Sequence, residues 1–416
     1  WLKPSPFGFK PSSAQFGRAS PGPSAPSPGR TMVDPTPRKV GKSTLRVPPL
    51  AFGGGPLGDP RIGNAEALET VATAWESGAR YFDTAPWYGV GRSERRLGMA
   101  LSGVGAAREE YFVNTKVGRF LEPERVRDQS KKTLLPSGGV RTPRDPLSGF
   151  RVKFDYSGEA ILQQHRDSLQ RLGTCYVDSL VIHDLDYGSA SRDEVERGIF
   201  ELSASGGGGA AALGGLRDSG AVRAIGVGCN MTYDINGGQG NIQSWRSGDH
   251  EPLLERIADV VDLDFIVMAG CYTLLETSAT RRLLPLCEQR NIGLVIATPY
   301  SGGILAVGPR PGVSYMYAEP SQEVAERAGR MQAICERHGV ELAAAAIQFP
   351  LAHPLTACVI PGARSPEEAR ANARHARTPV PEDVWRLFKE EGLLPSDVPT
   401  PTPPSKGGAS AVRSAL

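Results

Sequence analysis

Residues 81–89 read Tyr-Phe-Asp-Thr-Ala-Pro-Trp-Tyr-Gly, an apolar run that ends in an aspartate and continues into a proline- and glycine-containing turn. The turn places Tyr88 five residues after Asp83. Two later apolar runs also close on a polar side chain, one at Lys116 and one at His183. Short apolar runs with little polar alternation are typical of strands buried on both faces, as in a parallel sheet. The sequence therefore predicts Asp, Tyr, Lys and His at or near the ends of successive buried strands.

Strand-like and helix-like segments alternate along most of the chain. Strands are predicted at 50–53, 80–83, 111–116, 177–183, 222–228, 262–268, 293–297 and 356–360. Helices are predicted at 65–77, 93–102, 158–172, 193–218, 251–258, 278–290, 321–338 and 366–375. Eight strand–helix units predict an α/β fold, a (β/α)8 TIM barrel. A doubly wound open sheet is the alternative, but the G-x-G-x-x-G turn expected after its first strand is not found.

Three segments are predicted in addition to the strands and helices of the barrel. Residues 38–48 have the pattern of a short hairpin before the first strand, where it could plug the bottom of the barrel. Gly/Arg/Ser-rich stretches at 120–152 and 231–249 follow strands three and five. Loops after barrel strands lie over the C-terminal face, so these two stretches are expected to shape substrate entry.

The two ends differ in composition from the domain predicted at 38–393. Residues 1–37 are rich in Pro, Ser and Gly and hold no acid before Asp34. Such a segment cannot bury enough apolar surface to fold, so we expect a disordered extension, with an organelle transit peptide as the alternative. Residues 394–416 are likewise expected to form a disordered tail.

Bulk composition excludes several classes of protein. A net charge of +2 gives no sign of a nucleic-acid or membrane partner. Six cysteines without C-x-x-C spacing favour free thiols in a reducing compartment. The apolar runs fall far short of the roughly 18 residues that span a bilayer. No His/Asp/Glu cluster has metal-ligand spacing, so no metal is predicted. A cytoplasmic protein is expected, or a plastid or mitochondrial one if residues 1–37 are a transit peptide.

The four polar residues form a plausible proton-transfer centre. In a (β/α)8 barrel the C-terminal ends of the strands meet at one mouth, so Asp83, Tyr88, Lys116 and His183 are expected to converge. A free phenol has a pKa of about 10 and is a poor base at neutral pH. A lysine ammonium would favour the phenolate, and Asp83 would keep that ammonium charged. Tyr88 would then be the general acid or base, and His183 would orient the substrate oxygen.

From about residue 41 to residue 377 the chain resembles the aldo-keto reductase family. The first family motif is matched by residues 82–98, and the second is approached by residues 168–178. The resemblance implies a barrel with the tetrad Asp83, Tyr88, Lys116 and His183, and hydride transfer with NAD or NADP. Within the family the chain looks most like the D-threo-aldose 1-dehydrogenase branch, which includes L-fucose and galactose dehydrogenases. That likeness rests on residues 154–157, 183–186, 271–275 and 300–305.

The branch implies oxidation of the C1 hydroxyl of an aldose of the L-fucose, D-arabinose or L-galactose type to its lactone. Trp87 and His183 would then contact a small-molecule sugar substrate. The protein itself is expected to be a monomer or a homo-oligomer. Three alternatives stay open. They are a pyridoxal 4-dehydrogenase, an NADPH-dependent aldehyde or carbonyl reductase, and a nicotinamide-binding regulatory subunit like the potassium-channel β subunits.

The resemblance also implies the cofactor contacts. They are Cys229, Asn230, Tyr300, Arg364, Glu368 and Asn372. Cys229 and Asn230 would hold the nicotinamide carboxamide, Tyr300 would stack on the nicotinamide ring, and Asn372 would contact adenine. A carboxylate at Glu368 repels the 2′-phosphate of NADP, which favours NAD, while Arg364 would permit some NADP binding.

Overall fold

The computed structural model describes residues 30–31, 34–123, 150–186, 189–230, 250–316 and 318–402. Eight parallel strands form its central sheet, and each pairs with its neighbours in chain order. They are β1 (Phe52–Gly53), β2 (Tyr81–Asp83), β3 (Phe112–Val117), β4 (Ser179–His183), β5 (Ala224–Asn230), β6 (Phe265–Ala269), β7 (Gly293–Ala297) and β8 (Thr356–Ile360). Parallel bridges from Leu50 to Val359 and from Gly53 to Gly362 join β1 to β8. The sheet is therefore a closed barrel, as predicted, and the open-sheet alternative is wrong.

Helices pack around the barrel. They are α1 (Asn64–Glu76), α2 (Arg92–Gly103), α3 (Gly158–Leu172), α4 (Arg192–Leu202), α5 (Gly209–Asp218), α6 (His250–Val260), α7 (Leu283–Arg290), α8 (Ile304–Val307), α9 (Gln322–Arg337), α10 (Leu342–Gln348), α11 (Pro366–Arg377) and α12 (Glu382–Glu390). The single helix predicted at 193–218 is wrong. Residues 203–208 form a turn between α4 and α5, because glycine lowers helix propensity and four glycines follow Ser205.

The barrel interior is closed at one end by the N-terminal hairpin. Arg38–Lys39 pairs antiparallel with Arg46–Val47. Leu45 and Val47 are fully buried in a cluster that includes Tyr81 and Phe265, at the starts of β2 and β6. The Arg38 guanidinium also donates to the Leu351 carbonyl at 2.7 Å. The predicted plug is thus confirmed, and the opposite end of the barrel remains as the mouth.

The segment after β3 begins as a second hairpin rather than as an irregular loop. Arg119–Pro123 pairs antiparallel with Phe150–Phe154. Residues 124–149 and the predicted loop at 231–249 lie outside the described residues. The second hairpin starts two residues after β3 ends, so it lies directly at the barrel mouth.

The predicted boundaries at both ends need correction. Leu394 and Val398 are both about 1% exposed within the main core, so the ordered fold extends beyond residue 393. At the other end Arg30–Thr31 pairs with Val380–Pro381, inside the segment predicted to be disordered. Residues 1–29 and 403–416 lie outside the described part of the chain. Within the described part, no helix is long and apolar enough to cross a membrane.

Candidate active site

A buried ion pair occupies the barrel mouth at the ends of β2 and β3. Lys116 Nζ lies 2.7 and 2.8 Å from the two carboxylate oxygens of Asp83 and donates to the Thr84 carbonyl at 2.8 Å. The amide of Asn114 donates to Asp83 at 2.6 Å. Asp83 and Lys116 are each 2% exposed. A buried pair is stable only when further hydrogen bonds satisfy both charges, and Asn114 and Thr84 provide them.

Tyr88 lies over this pair in the turn between β2 and α2. Lys116 Nζ is 4.7 Å from the centroid of the Tyr88 ring. The Tyr88 backbone is fixed at both ends, because its N–H donates to Ala85 and its carbonyl accepts from the Ser93 N–H, both at 3.1 Å. Gly58 packs directly against it, so close that a Cβ at that position would lie 2.4 Å from the Tyr88 carbonyl carbon. The turn therefore holds the tyrosine in one place.

His183 completes the group at the end of β4. Its ring meets the Tyr88 ring edge to face, with centroids 5.8 Å apart. Burial, together with the nearby charges of Arg119 and Lys116, holds the pKa of His183 well below its usual value. The imidazole is therefore neutral at neutral pH and offers one N–H donor. The Asp184 carboxylate lies 3.4 Å from Nε2. The structure thus brings the four predicted residues of the tetrad together.

The family follows from comparison with known proteins. The model of the aldo/keto reductase family matches residues 49–391. The chain belongs to the aldo/keto reductase family. The pyridoxal 4-dehydrogenase of Microbacterium luteolum is 34% identical over 86% of this chain and 97% of its own. The D-threo-aldose 1-dehydrogenase of a Pseudomonas species is 34% identical over 85% of this chain and 96% of its own. This aldo/keto reductase is accordingly an NAD(P)-dependent oxidoreductase.

Solved structures agree with the fold. An aldo-keto reductase from Bacillus halodurans, in its holo form, superposes with a TM-score of 0.59 at 22% identity over 86% of this chain and 96% of that chain. The glycerol dehydrogenase of Gluconobacter oxydans superposes with the same score of 0.59 at 19% identity over 90% and 99%. These likenesses support the barrel architecture.

Four of the predicted cofactor residues of this aldo/keto reductase lie together beside α11. Ser365 caps the helix by accepting from the Glu368 N–H, and the Glu368 carboxylate accepts from the Arg364 N–H at 2.8 Å. Asn372 is buried and donates to the Gly362 carbonyl at 3.1 Å. The Tyr300 hydroxyl in turn donates to Asn372 at 3.0 Å. Tyr300 thus contacts Asn372, the residue predicted to bind adenine. The prediction for Tyr300 was a different one, stacking on the nicotinamide ring.

These residues fit a nicotinamide dinucleotide. The exposed Arg364 guanidinium lies beside the start of α11 at Pro366 and is a donor suited to a phosphate. Cys229 and Asn230 are the last two residues of β5, next to β4 and His183. The structure describes only their backbone, so their predicted carboxamide contacts stay a prediction. Among the described residues no group of His, Cys, Asp and Glu could hold a metal ion.

Sequence reasoning missed three polar residues at the mouth of this aldo/keto reductase. Asn114 supports Asp83 from within β3, and Arg119 and Asp184 form a 2.6 Å ion pair beside His183. The signal for the last two was present, because Arg119 follows Lys116 by three residues and Asp184 directly follows His183. Asn114 gave no such signal, since a neutral residue inside a strand does not stand out from a sequence.

Proposed function

We propose that the protein oxidises the anomeric hydroxyl of a cyclic aldose to the lactone, with NAD as the preferred cofactor. The observation that carries the proposal is the buried Asp83–Lys116 pair directly beneath the Tyr88 ring. An ammonium this close to the ring favours the phenolate of Tyr88. The aldose is favoured because D-threo-aldose 1-dehydrogenase and L-galactose dehydrogenase, the latter of Arabidopsis thaliana and 26% identical over 80% of this chain and 86% of its own, are both relatives.

The chemistry assigned to the chain is proton transfer at one oxygen. Tyr88, with its phenolate favoured by the Lys116 ammonium, takes the proton from the C1 hydroxyl. The neutral His183 donates a hydrogen bond to the same oxygen and holds it in line with the tyrosine. A bound nicotinamide would supply the acceptor for the hydride that leaves C1. The C1–H and O–H bonds break and the C1=O bond of the lactone forms.

The charge at the start of α11 supports NAD over NADP. Glu368 is held at this helix end by the Arg364 N–H, so its carboxylate stays close to any group bound there. A fixed negative charge repels a 2′-phosphate, whereas it can accept hydrogen bonds from ribose hydroxyls. The exposed Arg364 side chain offsets part of that repulsion and leaves room for slower turnover with NADP.

A second candidate function is the oxidation of pyridoxal. The pyridoxal 4-dehydrogenase of M. luteolum matches this chain at the same 34% identity as the aldose enzyme. A pyridoxal substrate would use the same tetrad, because it too would give up a hydride and a proton. The two functions differ in the substrate that the mouth accepts.

The test is a substrate panel read by the absorbance of reduced nicotinamide. Purified protein is mixed with L-fucose, D-arabinose, L-galactose or pyridoxal, with NAD or NADP. We expect reduction of NAD with at least one of the sugars. Turnover of pyridoxal alone would assign the second function, and oxidation of NADPH by simple aldehydes alone would assign a carbonyl reductase. Tight cofactor binding without turnover in either direction would favour a regulatory subunit.

A further inference from the structure

Arg119 is a buried charge next to the tetrad that the proposed proton transfer does not use. It opens the second hairpin, and its side chain is only 6% exposed. The guanidinium carbon lies 4.5 Å from the centroid of the Trp87 ring and 5.4 Å from that of Phe154. Two aromatic rings and the Asp184 carboxylate thus fix the position of one arginine at the barrel mouth.

The hydrogen bonding of this arginine is incomplete. Its terminal nitrogen pairs with Asp184 at 2.6 Å, but Nε is buried and has no partner among the described residues. A buried donor without a partner is rare, and at a functional site it points to a ligand atom. Planar guanidinium groups hold oxygen atoms in a fixed direction, which lysine cannot do.

The arginine is also close to the reacting centre. Oδ2 of Asp184 is shared, since it lies 2.6 Å from the Arg119 terminal nitrogen and 3.4 Å from Nε2 of His183. The two nitrogens are therefore within about 6 Å of each other, a span that two hydrogen bonds of about 2.9 Å to neighbouring substrate oxygens can bridge. Asp184 itself has a left-handed backbone, with φ of 49°, and such strain is concentrated at functional sites.

We propose that Arg119 is a specificity-determining residue that donates to an oxygen on the substrate carbon next to the reacting carbon. For the proposed aldose, on which this inference rests, that oxygen is the C2 hydroxyl. His183 and Tyr88 hold the oxygen on C1, and the guanidinium holds the oxygen beside it. The enzyme then distinguishes a 1,2-dioxygenated substrate from one that lacks the second oxygen.

The test compares substrates that differ only in that oxygen. 2-Deoxy-D-ribose is D-arabinose without its C2 hydroxyl, and kcat/KM is measured for both. The wild type should prefer D-arabinose by about 10- to 100-fold, the effect of one hydrogen bond from a charged donor. Arg119→Met should lose that factor on D-arabinose, so that the ratio of kcat/KM between the two sugars falls to near 1. Because the single change removes the Arg119 cation from beside the Asp184 carboxylate, the paired variant R119M/D184N is measured as well.

A matched control separates recognition from packing. Arg80 also stacks on a tryptophan, at 3.6 Å from the Trp75 ring, but it lies before β2 at the closed end of the barrel. Arg80→Met should keep the preference between the two sugars. An equal loss on both sugars in the Arg119 variants would overturn the proposal, because it would show that Arg119 only supports His183. A wild type without preference would overturn it too.

Failure of the sugar assignment would be visible separately. If the wild type oxidises no sugar, the same comparison is made in reduction with lactaldehyde and propanal, which differ by the hydroxyl next to the carbonyl. A preference for lactaldehyde that depends on Arg119 would uphold the inference without the aldose. Equal turnover of the two aldehydes by wild type and variants would refute it.

Discussion

At the scale of single residues, Asp83 and Lys116 depend on each other. Both are buried, and each carries a charge that would be costly to bury alone. Their positions could be predicted, because strand ends of a barrel converge. Their hydrogen-bond partners could not, since the Asn114 amide and the Thr84 carbonyl reach the pair only through the register of β2 with β3, where Asp83 faces Asn114.

Lys116→Met should lower kcat by about 10²- to 10⁴-fold, because the general acid–base group loses its neighbouring charge. It should also lower the free energy of unfolding by about 3–5 kcal/mol, since Asp83 is left buried and unpaired. Urea denaturation and steady-state kinetics measure the two effects.

The paired variant D83N/K116M removes both charges and serves as the control for Lys116→Met. It should recover most of the stability, because a neutral pair carries no buried charge, but none of the activity. Recovery of activity in the pair would show that the ammonium has no role in turnover.

The predicted cofactor residues make one contact with each other that could not be predicted from the sequence. Arg364, Glu368 and Asn372, which the family resemblance assigned to the cofactor, lie at or beside α11, and the structure brings Tyr300 to the same place. The bond from Tyr300 to Asn372 joins residues 72 positions apart. The parallel pairing of β7 with β8 brings the segment after β7 next to the helix after β8, so this contact could not be predicted from local sequence.

At the scale of elements, the turn between β2 and α2 decides where Tyr88 lies. Gly58 and Gly89 are in contact, and Gly89 has a φ of 64° that favours glycine. The sequence showed a proline- and glycine-containing turn there but not the short 3₁₀ helix at 56–58 that packs against it. The conformation of the turn comes from that contact, which joins segments about 30 residues apart in the chain.

Gly58→Ala should move Tyr88, because the new methyl group would meet its backbone at 2.4 Å. A displacement near 1 Å at a reacting group can cost about 10²-fold in rate, so kcat should fall by about that factor. Gly55→Ala is the control, since it adds a methyl group to the same loop with nothing within 4 Å. Steady-state kinetics on both variants, with melting temperatures to confirm folding, make the comparison. Equal kcat in the two would contradict the role of this contact.

Uninterrupted apolar runs and segments with a clear helical period were predicted best. The strand at 293–297 and the helix at 158–172 have the predicted bounds. The helix α10 was missed because all seven of its residues are buried, so no polar face marks it. The helix α12 was missed although it has an apolar face of Val384, Trp385 and Phe388. Leu394 bonds back to Phe388 at the end of this helix and joins the same core, so it belongs to the fold.

At the scale of the whole molecule, burial of histidines couples stability to pH. His165, His183, His353 and His375 each have a pKa held below its usual value, chiefly by burial. The unfolded chain binds protons at these groups below a pH of about 6.5, whereas the folded chain does not. Stability should therefore be fully present above that pH and be lost as the pH falls toward the folded values.

Melting temperature should fall between about pH 6.5 and pH 5, a window in which unperturbed carboxylates stay ionised. His165→Leu should make that fall shallower, because it removes one buried histidine on α3 whose Nε2 has no partner among the described residues. Thermal melts across the window, for wild type and variant, provide the measurement. A melting temperature that stays constant or rises on acidification would refute the coupling.

At the mouth of the barrel the Tyr88 phenol lies between Lys116 and His183, and the proposed chemistry passes through it. The most direct measurement is therefore the turnover of Tyr88→Phe. Its kcat with the best substrate of the panel should drop by about 10²- to 10⁴-fold, because the phenol that takes the proton in the wild type is gone. Cofactor affinity, followed by fluorescence titration, should stay unchanged, and the melting temperature should match the wild type. Turnover equal to the wild type in that variant would contradict the assignment of Tyr88 as the proton-transfer residue.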